Sequence, residues 1–379
     1  MNWEQWFADR VREREDAGLR RILKARGSQD EVIDLAGNDY LGLSVHPDVR
    51  RAAAAAAAEW GAGSGASRLV TGTLSLHDEL EQELAEFTGW PGALAMSTGY
   101  QANLSVVAAL VGKDDLVVSD AHIHASLIDA ARLSRAEIAV VPHNDVAAVD
   151  AALIAGLENR PGRRALVLAE SIYSVLGDAA PLAELAAVAE RHGALLVVDE
   201  AHGLGVVGDG GRGLTHTCGL AGHPNVVVTV TLSKAMGAQG GVLLGPASFR
   251  EHLVNTARPF IFDTALAPAA TAGALAALRH LRAHPTLPAT IRTRVDALAA
   301  QLGVDAPAGA VLSVPMPSPQ VAITAQAACL AEGIRVGCFR PPSVPDGISR
   351  LRITTNAGVP DAEWDRAVDV LTKVVEEHR

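Results

Sequence analysis

The chain reads as an α/β protein built on a mainly parallel sheet of seven strands, preceded by a short N-terminal helical segment and followed by a smaller C-terminal α/β domain. Three observations predict this. Seven short apolar runs lie between residues 93 and 245, at 93–96, 116–118, 138–141, 165–168, 194–198, 226–230 and 242–244. They do not alternate apolar with polar residues, as strands buried on both faces do not. Helical stretches at 100–110, 126–132, 146–157 and 182–192 separate most of them, and strand-helix repetition implies parallel pairing.

Composition bounds the rest. With 379 residues, 49% hydrophobic and 20% charged, the chain can bury a large core and is not disordered. A formal net charge of -11 argues against a nucleic-acid or anionic-membrane partner, each of which needs a basic face. Cys218, Cys329 and Cys338 share no metal-like spacing, and their odd number suits a reducing compartment. No basic start leads into an early apolar segment, and no run approaches the roughly 18 residues of a membrane span, so a cytoplasmic location is expected.

In chain order, residues 3–25 set Trp3, Trp6, Phe7, Val11, Leu19, Ile22 and Leu23 among charges, an amphipathic helix interrupted at Gly18. Ile33 to Leu43 runs from a short strand into a turn rich in Gly, Asn and Asp. Residues 48–60 carry seven consecutive alanines and are helical by propensity; 61–68 are a flexible loop of small residues, and 77–87 are helical again. After the seven runs, an alanine-rich helix at 270–281 leads into helices at 291–302, 325–332 and 361–376 and strands at 311–314, 334–337 and 351–354. The expected division is 1–44, a helix and strand segment; 45–270, the large domain; and 271–379, the small one.

In such sheets ligands sit beyond the carboxyl ends of the strands. Those ends carry Ser97-Thr-Gly-Tyr100, Ser119-Asp-Ala-His-Ile-His124, Glu170-Ser-Ile-Tyr-Ser174, Asp199-Glu-Ala-His202 and Thr231-Leu-Ser-Lys234. Five polar clusters at corresponding ends point to one site. Gly203-Leu-Gly-Val-Val-Gly208 matches a dinucleotide fingerprint by letter, but Asp209-Gly-Gly-Arg-Gly213 stands where its helix must start and no acid lies between Asp209 and Glu251 to hold a ribose. A metal among His122, His124 and His202 lacks a completing ligand set, so none is expected. No Gly-x-Ser-x-Gly elbow supports a serine hydrolase.

A lysine held beside apolar surface is a candidate Schiff-base amine. Lys234 and Asp199 stand at the ends of neighbouring runs, and a buried carboxylate keeps the ring nitrogen of an aldehyde cofactor protonated. The free N–H groups of a helix opening after Ser97, with the Thr231 hydroxyl, suit a phosphate. This is the pattern of pyridoxal 5'-phosphate.

The chain resembles the fold-type I pyridoxal-phosphate enzymes, and among them the α-oxoamine synthases. Nearly its whole length takes part: Asn38-Asp-Tyr-Leu-Gly-Leu43, Gly65-Ala-Ser-Arg68, Ser97 to Asn103, His124-Ala-Ser-Leu127, Asp199-Glu-Ala-His-Gly203, Thr231 to Lys234, Arg340-Pro-Pro-Ser-Val-Pro345 and Arg350-Leu-Arg352. The resemblance implies an acyltransferase in which Lys234 carries the cofactor and shuttles the α-proton, Asp199 pairs with the ring nitrogen and His124 stacks on the ring. It further implies that His202 and Ser174 bond the ring oxygen, that Gly99, Tyr100 and Thr231 hold the phosphate, and that Arg352 with Asn38 takes the amino-acid carboxylate. The resemblance extends to a member that condenses L-alanine with pimeloyl-CoA or pimeloyl-ACP in biotin biosynthesis, which implies that Arg20 matches the position meeting the distal carboxylate. Members are homodimers with the site at the interface, where Thr264 matches a residue reaching a neighbour's phosphate. Sibling activities are glycine C-acetyltransferase, 5-aminolevulinate synthase and serine palmitoyltransferase; a non-catalytic partner subunit is the reading of a different class. Val175-Leu-Gly-Asp178 and Ser233 depart from the usual family residues, which bears on acyl specificity.

Overall fold

Each of the seven apolar runs becomes a strand of one sheet in the computed structural model, which describes every residue except Met1, Gly18, Ile22, Gln29, Pro342, Ser343 and Pro345. The expected helix break at Gly18 and three positions of the Arg340-Pro-Pro-Ser-Val-Pro345 motif therefore lie outside the described residues. Numbered along the chain, the strands are β1 (Ile33–Leu35), β2 (Gly92–Met96), β3 (Leu116–Asp120), β4 (Glu137–Val141), β5 (Ala165–Glu170), β6 (Leu195–Asp199), β7 (Val226–Thr231), β8 (Gly241–Gly245), β9 (Val311–Pro315), β10 (Ile334–Phe339) and β11 (Arg350–Thr354).

The large sheet has the order β2-β8-β7-β6-β5-β3-β4, and β8 alone runs against its neighbours. Its two faces feed two separate cores because neighbouring side chains on a strand point opposite ways. On one face Leu94, Met96, Val117, Leu166, Leu168, Val197, Val227 and Leu243 pack with residues of helices Gly99–Leu110 and Ala125–Ser134. On the other, Leu116, Val118, Val167, Leu196, Val198, Val226, Val228 and Val230 join a larger cluster. The expectation of two-faced burial fails at β4, where Ile138 and Val140 are exposed, because β4 is an edge strand.

The smaller sheet, in the order β1-β10-β11-β9, has its own core with helices Leu287–Leu302, Pro319–Ala331 and Asp361–His378. Two boundaries differ from expectation. Strand β1 is not part of a separate N-terminal segment; it pairs in parallel with β10, Ile33 beside Ile334. The helix Pro268–Ala283, expected to open the small domain, buries Ala274, Leu275, Ala277, Leu278 and Leu281 in the large core. We therefore propose a division of the two lobes within helix Leu287–Leu302, whose Ile291 faces one core and whose Val295 and Leu298 face the other.

The N-terminal residues Met1–Val32 form a unit of their own. The helix there is Trp3–Asp16, shorter than the expected 3–25, and the Ala17 N–H closes it on the Glu13 carbonyl. The loop expected at 61–68 leads into a short helical turn at Arg68–Gly72, where Arg68 is held by a buried ion pair with Glu81 at 2.8 Å.

Candidate active site

A cavity of about 250 Å³ opens beyond the carboxyl ends of β5, β6 and β7 and is lined by Gly99, Tyr100, His124, Asp199, His202, Thr231 and Lys234. Strand register explains the convergence. Glu170 is paired with Asp199 and Asp199 with Thr229, so three successive strand ends deliver their side chains side by side. The turn after β7 then brings Lys234 back over them; its Gly237 has φ 58°, and a Cβ there would lie 2.3 Å from the Ser44 backbone nitrogen.

Lys234 Nζ lies 2.7 Å from His202 Nε2, and His202 Nδ1 lies 2.6 Å from the Tyr40 hydroxyl. Tyr40 in turn donates to Asn38 Oδ1 at 3.2 Å, which also accepts from an Arg352 N–H at 3.1 Å. Arg352 Nε donates to the Ser174 carbonyl at 2.9 Å, and its guanidinium lies 5.4 Å from the Phe339 ring centroid. Asn38, Ser174 and Arg352 are thus tied to Lys234 by one chain of hydrogen bonds.

The polarity of that chain is set from its far end. Asn38 Oδ1 can only accept, so the Tyr40 hydroxyl gives it a proton and its oxygen is left to accept from His202 Nδ1–H. His202 Nε2 is then the lone-pair nitrogen facing Lys234. Burial holds the His202 ring well below the ordinary imidazole value, and the Lys234 and Arg352 cations push the same way, so the ring is neutral. Burial lowers Lys234 itself to about 8, against the opposing pull of Asp199 and Glu170.

Asp199 is 5% exposed, and both its oxygens accept: one from Asn103 Nδ2 at 2.7 Å, the other from the Ala201 N–H at 2.9 Å. Asn103 is fixed in turn by the Thr229 hydroxyl and by Ser126. His124 caps the helix Ala125–Ser134, its Nδ1 accepting from the Ser126 N–H and hydroxyl, and burial lowers its pKa. Across the cavity the helix Gly99–Leu110 begins, with Thr98 capping it through the Gln101 N–H. A Cβ at Gly99 would stand 3.0 Å from Thr231 Cβ, so the bare glycine leaves the backbone N–H groups of the helix start uncrowded beside the Thr231 hydroxyl. Ser233 adds a second hydroxyl 2.7 Å from that of Thr231.

Several residues of this site were not singled out from the sequence alone: Tyr40, Asn103, Ser126 and Glu170. Tyr40 and Asn103 lie inside motifs that carry the family resemblance, which was their one available signal. Glu170 is 2% exposed, burial beside Asp199 raises its pKa, and its Oε1 has no hydrogen-bond partner among the described residues. Thr264 is not on the cavity wall. Thr264 is exposed, its N–H bonded to Asp263, and Arg20 pairs with Glu15 inside the N-terminal unit. His122, weighed above as a metal ligand, stacks instead on His143 at 4.0 Å. The glycines 203–208 lie in turns that lead into a single 3-10 turn at Asp209–Gly211, not into an α-helix.

The family model for aminotransferase class I and II matches residues 30–371. An 8-amino-7-oxononanoate synthase of Mycolicibacterium smegmatis is 54% identical over 371 residues, covering 98% of this chain and 96% of the relative. A serine palmitoyltransferase of S. paucimobilis, solved with a pyridoxal-phosphate adduct of myriocin, superposes with TM-score 0.89 at 30% identity over 98% of this chain and 97% of that one. An 8-amino-7-oxononanoate synthase of Francisella tularensis superposes with TM-score 0.76 at 26% identity, over 92% of this chain and 99% of that one. On its sheet, its cavity and these matches, the chain belongs to the aminotransferase class I and II family and, within it, to the 8-amino-7-oxononanoate synthases.

Proposed function

We propose that the chain condenses L-alanine with a pimeloyl thioester, releasing the thiol and carbon dioxide and giving 8-amino-7-oxononanoate, a step of biotin biosynthesis. The observation that carries this reading is the half-buried Lys234 amine, 2.7 Å from a neutral His202 on a wall shared with Asp199. The residues present fit pyridoxal 5'-phosphate. A bare Gly99 backbone at a helix start faces Thr231 and Ser233, a carboxylate lies at the base of the wall, and Glu170 Oε1 is buried and unpartnered. Pyridoxal phosphate, when bound, supplies the electron sink that makes the alanine α-carbon acidic.

The chain's own residues do the rest. Gly99, Tyr100 and Thr231 would hold the phosphate; Asp199, steadied by Asn103, would keep the ring nitrogen protonated; His124 would lie against the ring, and His202 and Ser174 would bond its oxygen. Lys234 would hold the cofactor and, as a neutral amine, would take the α-proton. Its depressed pKa suits that role, since a base is most effective when its pKa lies near the working pH. Arg352 binds the alanine carboxylate beside Asn38, a planar guanidinium matching a planar anion. That carboxylate leaves later as carbon dioxide. Arg20 meets the distal carboxylate of the acyl chain, so Arg20→Ala raises KM for the pimeloyl thioester and leaves KM for alanine unchanged. A second copy of the chain completes the site through Thr264.

The test is thiol release by the cofactor-loaded protein, with L-alanine, glycine or L-serine offered against pimeloyl, acetyl, succinyl and palmitoyl thioesters of coenzyme A, and against pimeloyl-ACP. Alanine with pimeloyl is expected to be fastest. Turnover with serine and palmitoyl alone would assign the sibling chemistry instead.

A further inference from the structure

Three imidazoles and a carboxylate meet far along the sequence from the cavity residues, where the start of helix Pro47–Trp60 lies against the end of helix Pro268–Ala283. His46 is the N-cap of the first helix, and its ring centroid stands 4.2 Å from that of His280 in the last turn of the second. His284, four residues on, stacks on His280 at 4.2 Å with an interplanar angle of 26°. One ligand atom each from His46, Asp48 and His280 falls within 4.8 Å of the others.

Such a group is awkward as a purely structural element. Three protonated rings in this arrangement repel one another, and among the described residues neither ring nitrogen of His280 makes a hydrogen bond. The other nitrogens are already sorted. His284 Nδ1–H donates to the His280 carbonyl at 2.9 Å, so its Nε2 carries the lone pair; metal-bound histidines are commonly oriented by such a bond from their second nitrogen. His46 Nδ1 accepts only a weak 3.3 Å bond from the Asp48 N–H and sits 3.9 Å from the Asp48 carboxylate.

We propose that His46, Asp48 and His280 bind a divalent transition cation of the zinc class, with His284 turning in to close a four-coordinate shell. Imidazole and carboxylate donors in this ratio suit zinc over magnesium or calcium, which prefer all-oxygen shells. Ligands about 2.1 Å from a tetrahedral ion lie roughly 3.4 Å from one another, so side-chain rotation from the present spacing suffices. The ion staples two helix ends. It also restrains the turn Leu43–Val45, immediately before His46, on which the Lys234 loop rests through Gly237.

The experiment uses untagged, cofactor-loaded protein stripped with chelator and titrated with ZnCl2 by calorimetry, and with CoCl2 by visible absorbance. One equivalent per chain is expected, with the cobalt spectrum of a four-coordinate nitrogen and oxygen site and a metal-dependent rise in Tm. His280→Ala and His46→Ala, both at partly exposed positions, are expected to weaken zinc binding roughly tenfold or more while retaining the cofactor's visible absorbance. His143→Gln, which alters a different histidine cluster, is expected to bind zinc as the parent does. Unchanged affinity in both alanine variants, less than one equivalent in the parent, or loss of binding in His143→Gln alone would each overturn the site.

Discussion

At the scale of single residues, the hydrogen-bond chain from Lys234 through His202 and Tyr40 to Asn38 and Arg352 couples the Lys234 amine to the Arg352 guanidinium. Because every member is buried or half-buried and Asn38 Oδ1 accepts from both Tyr40 and Arg352, the bonds from Lys234 to Asn38 run in one direction and the Arg352 bond meets them head-on at Asn38. Tyr40 is wholly buried, and Tyr40→Phe keeps its volume but removes the acceptor for His202 Nδ1–H. A lost buried hydrogen bond costs about 1–3 kcal/mol, so kcat/KM for alanine is expected to fall roughly 10- to 100-fold with cofactor content unchanged. Steady-state kinetics on alanine check this; a variant as fast as the parent would show that Tyr40 has no part. Lys234 makes a pH prediction of its own. Its folded pKa is lowered to about 8 from an ordinary 10.5, so the amine is neutral above about 8 and roughly a tenth neutral at pH 7. The rate at which stripped protein recaptures pyridoxal phosphate, followed by absorbance, is expected to rise through pH 8 and level off. A rate still climbing at pH 10 would assign Lys234 an ordinary ammonium. Lys234, Asp199, His124 and His202 are legible in the sequence because each stands at or just beyond the end of an apolar run. Glu170 stands there too, but an acid with no partner in the linear sequence has nothing to mark it as reactive.

At the scale of elements, strand ends place the side chains and the loops between them need holding. The loop after β5 carries Ser174, whose carbonyl orients Arg352, and Asp178, whose carboxylate takes His143 Nε2 at 2.8 Å. His143 Nδ1 lies 3.0 Å from Asp120 at the end of β3, and Asn144 donates to both acids. Although burial alone would lower it, hydrogen bonds to Asp120 and Asp178 raise His143 from 6.5 to about 9. A raised folded pKa contributes stability that is whole below pH 6.5 and is lost as pH climbs through 9, a difference of roughly 3 kcal/mol. His143→Gln is therefore expected to unfold at lower denaturant than the parent at pH 6, with the gap closing by pH 10. At neutral pH its KM for alanine rises more than its kcat falls, because the loop beneath Arg352 loosens. Equal midpoints at pH 6 would mean that the clamp is not an ion pair. None of this is legible from the sequence, because the acids stand 23 and 35 positions from His143 and no helical or strand period joins them. The seven strands are legible since a two-faced buried strand needs only local apolar composition; the edge position of β4 and the reversal of β8 depend on neighbours that local composition does not name.

At the scale of the whole molecule, long-range pairing escapes the sequence in the same way. Strand β1 is three residues long and joins a partner at 334–336, so its place in the small sheet rests on a contact that nothing local signals. Thr264 raises the same question between chains. It is exposed, it is absent from the cavity wall of its own chain, and Phe262 beside it is 69% exposed. If a second copy completes the site, a chain carries its own Lys234 and lends Thr264 to its neighbour. Thr264→Glu sets a carboxylate against the phosphate and is expected to abolish cofactor retention in a homodimer, as Lys234→Ala abolishes turnover. Mixing the two inactive variants under mild dissociating conditions is then decisive. In each heterodimer one site carries both defects, and the other combines an intact Lys234 with an intact Thr264. Random exchange makes about half the dimers mixed, so activity should recover to about a quarter of the parent's. A Thr264 acting within its own chain gives no recovery at all, because every site in the mixture then retains one defect.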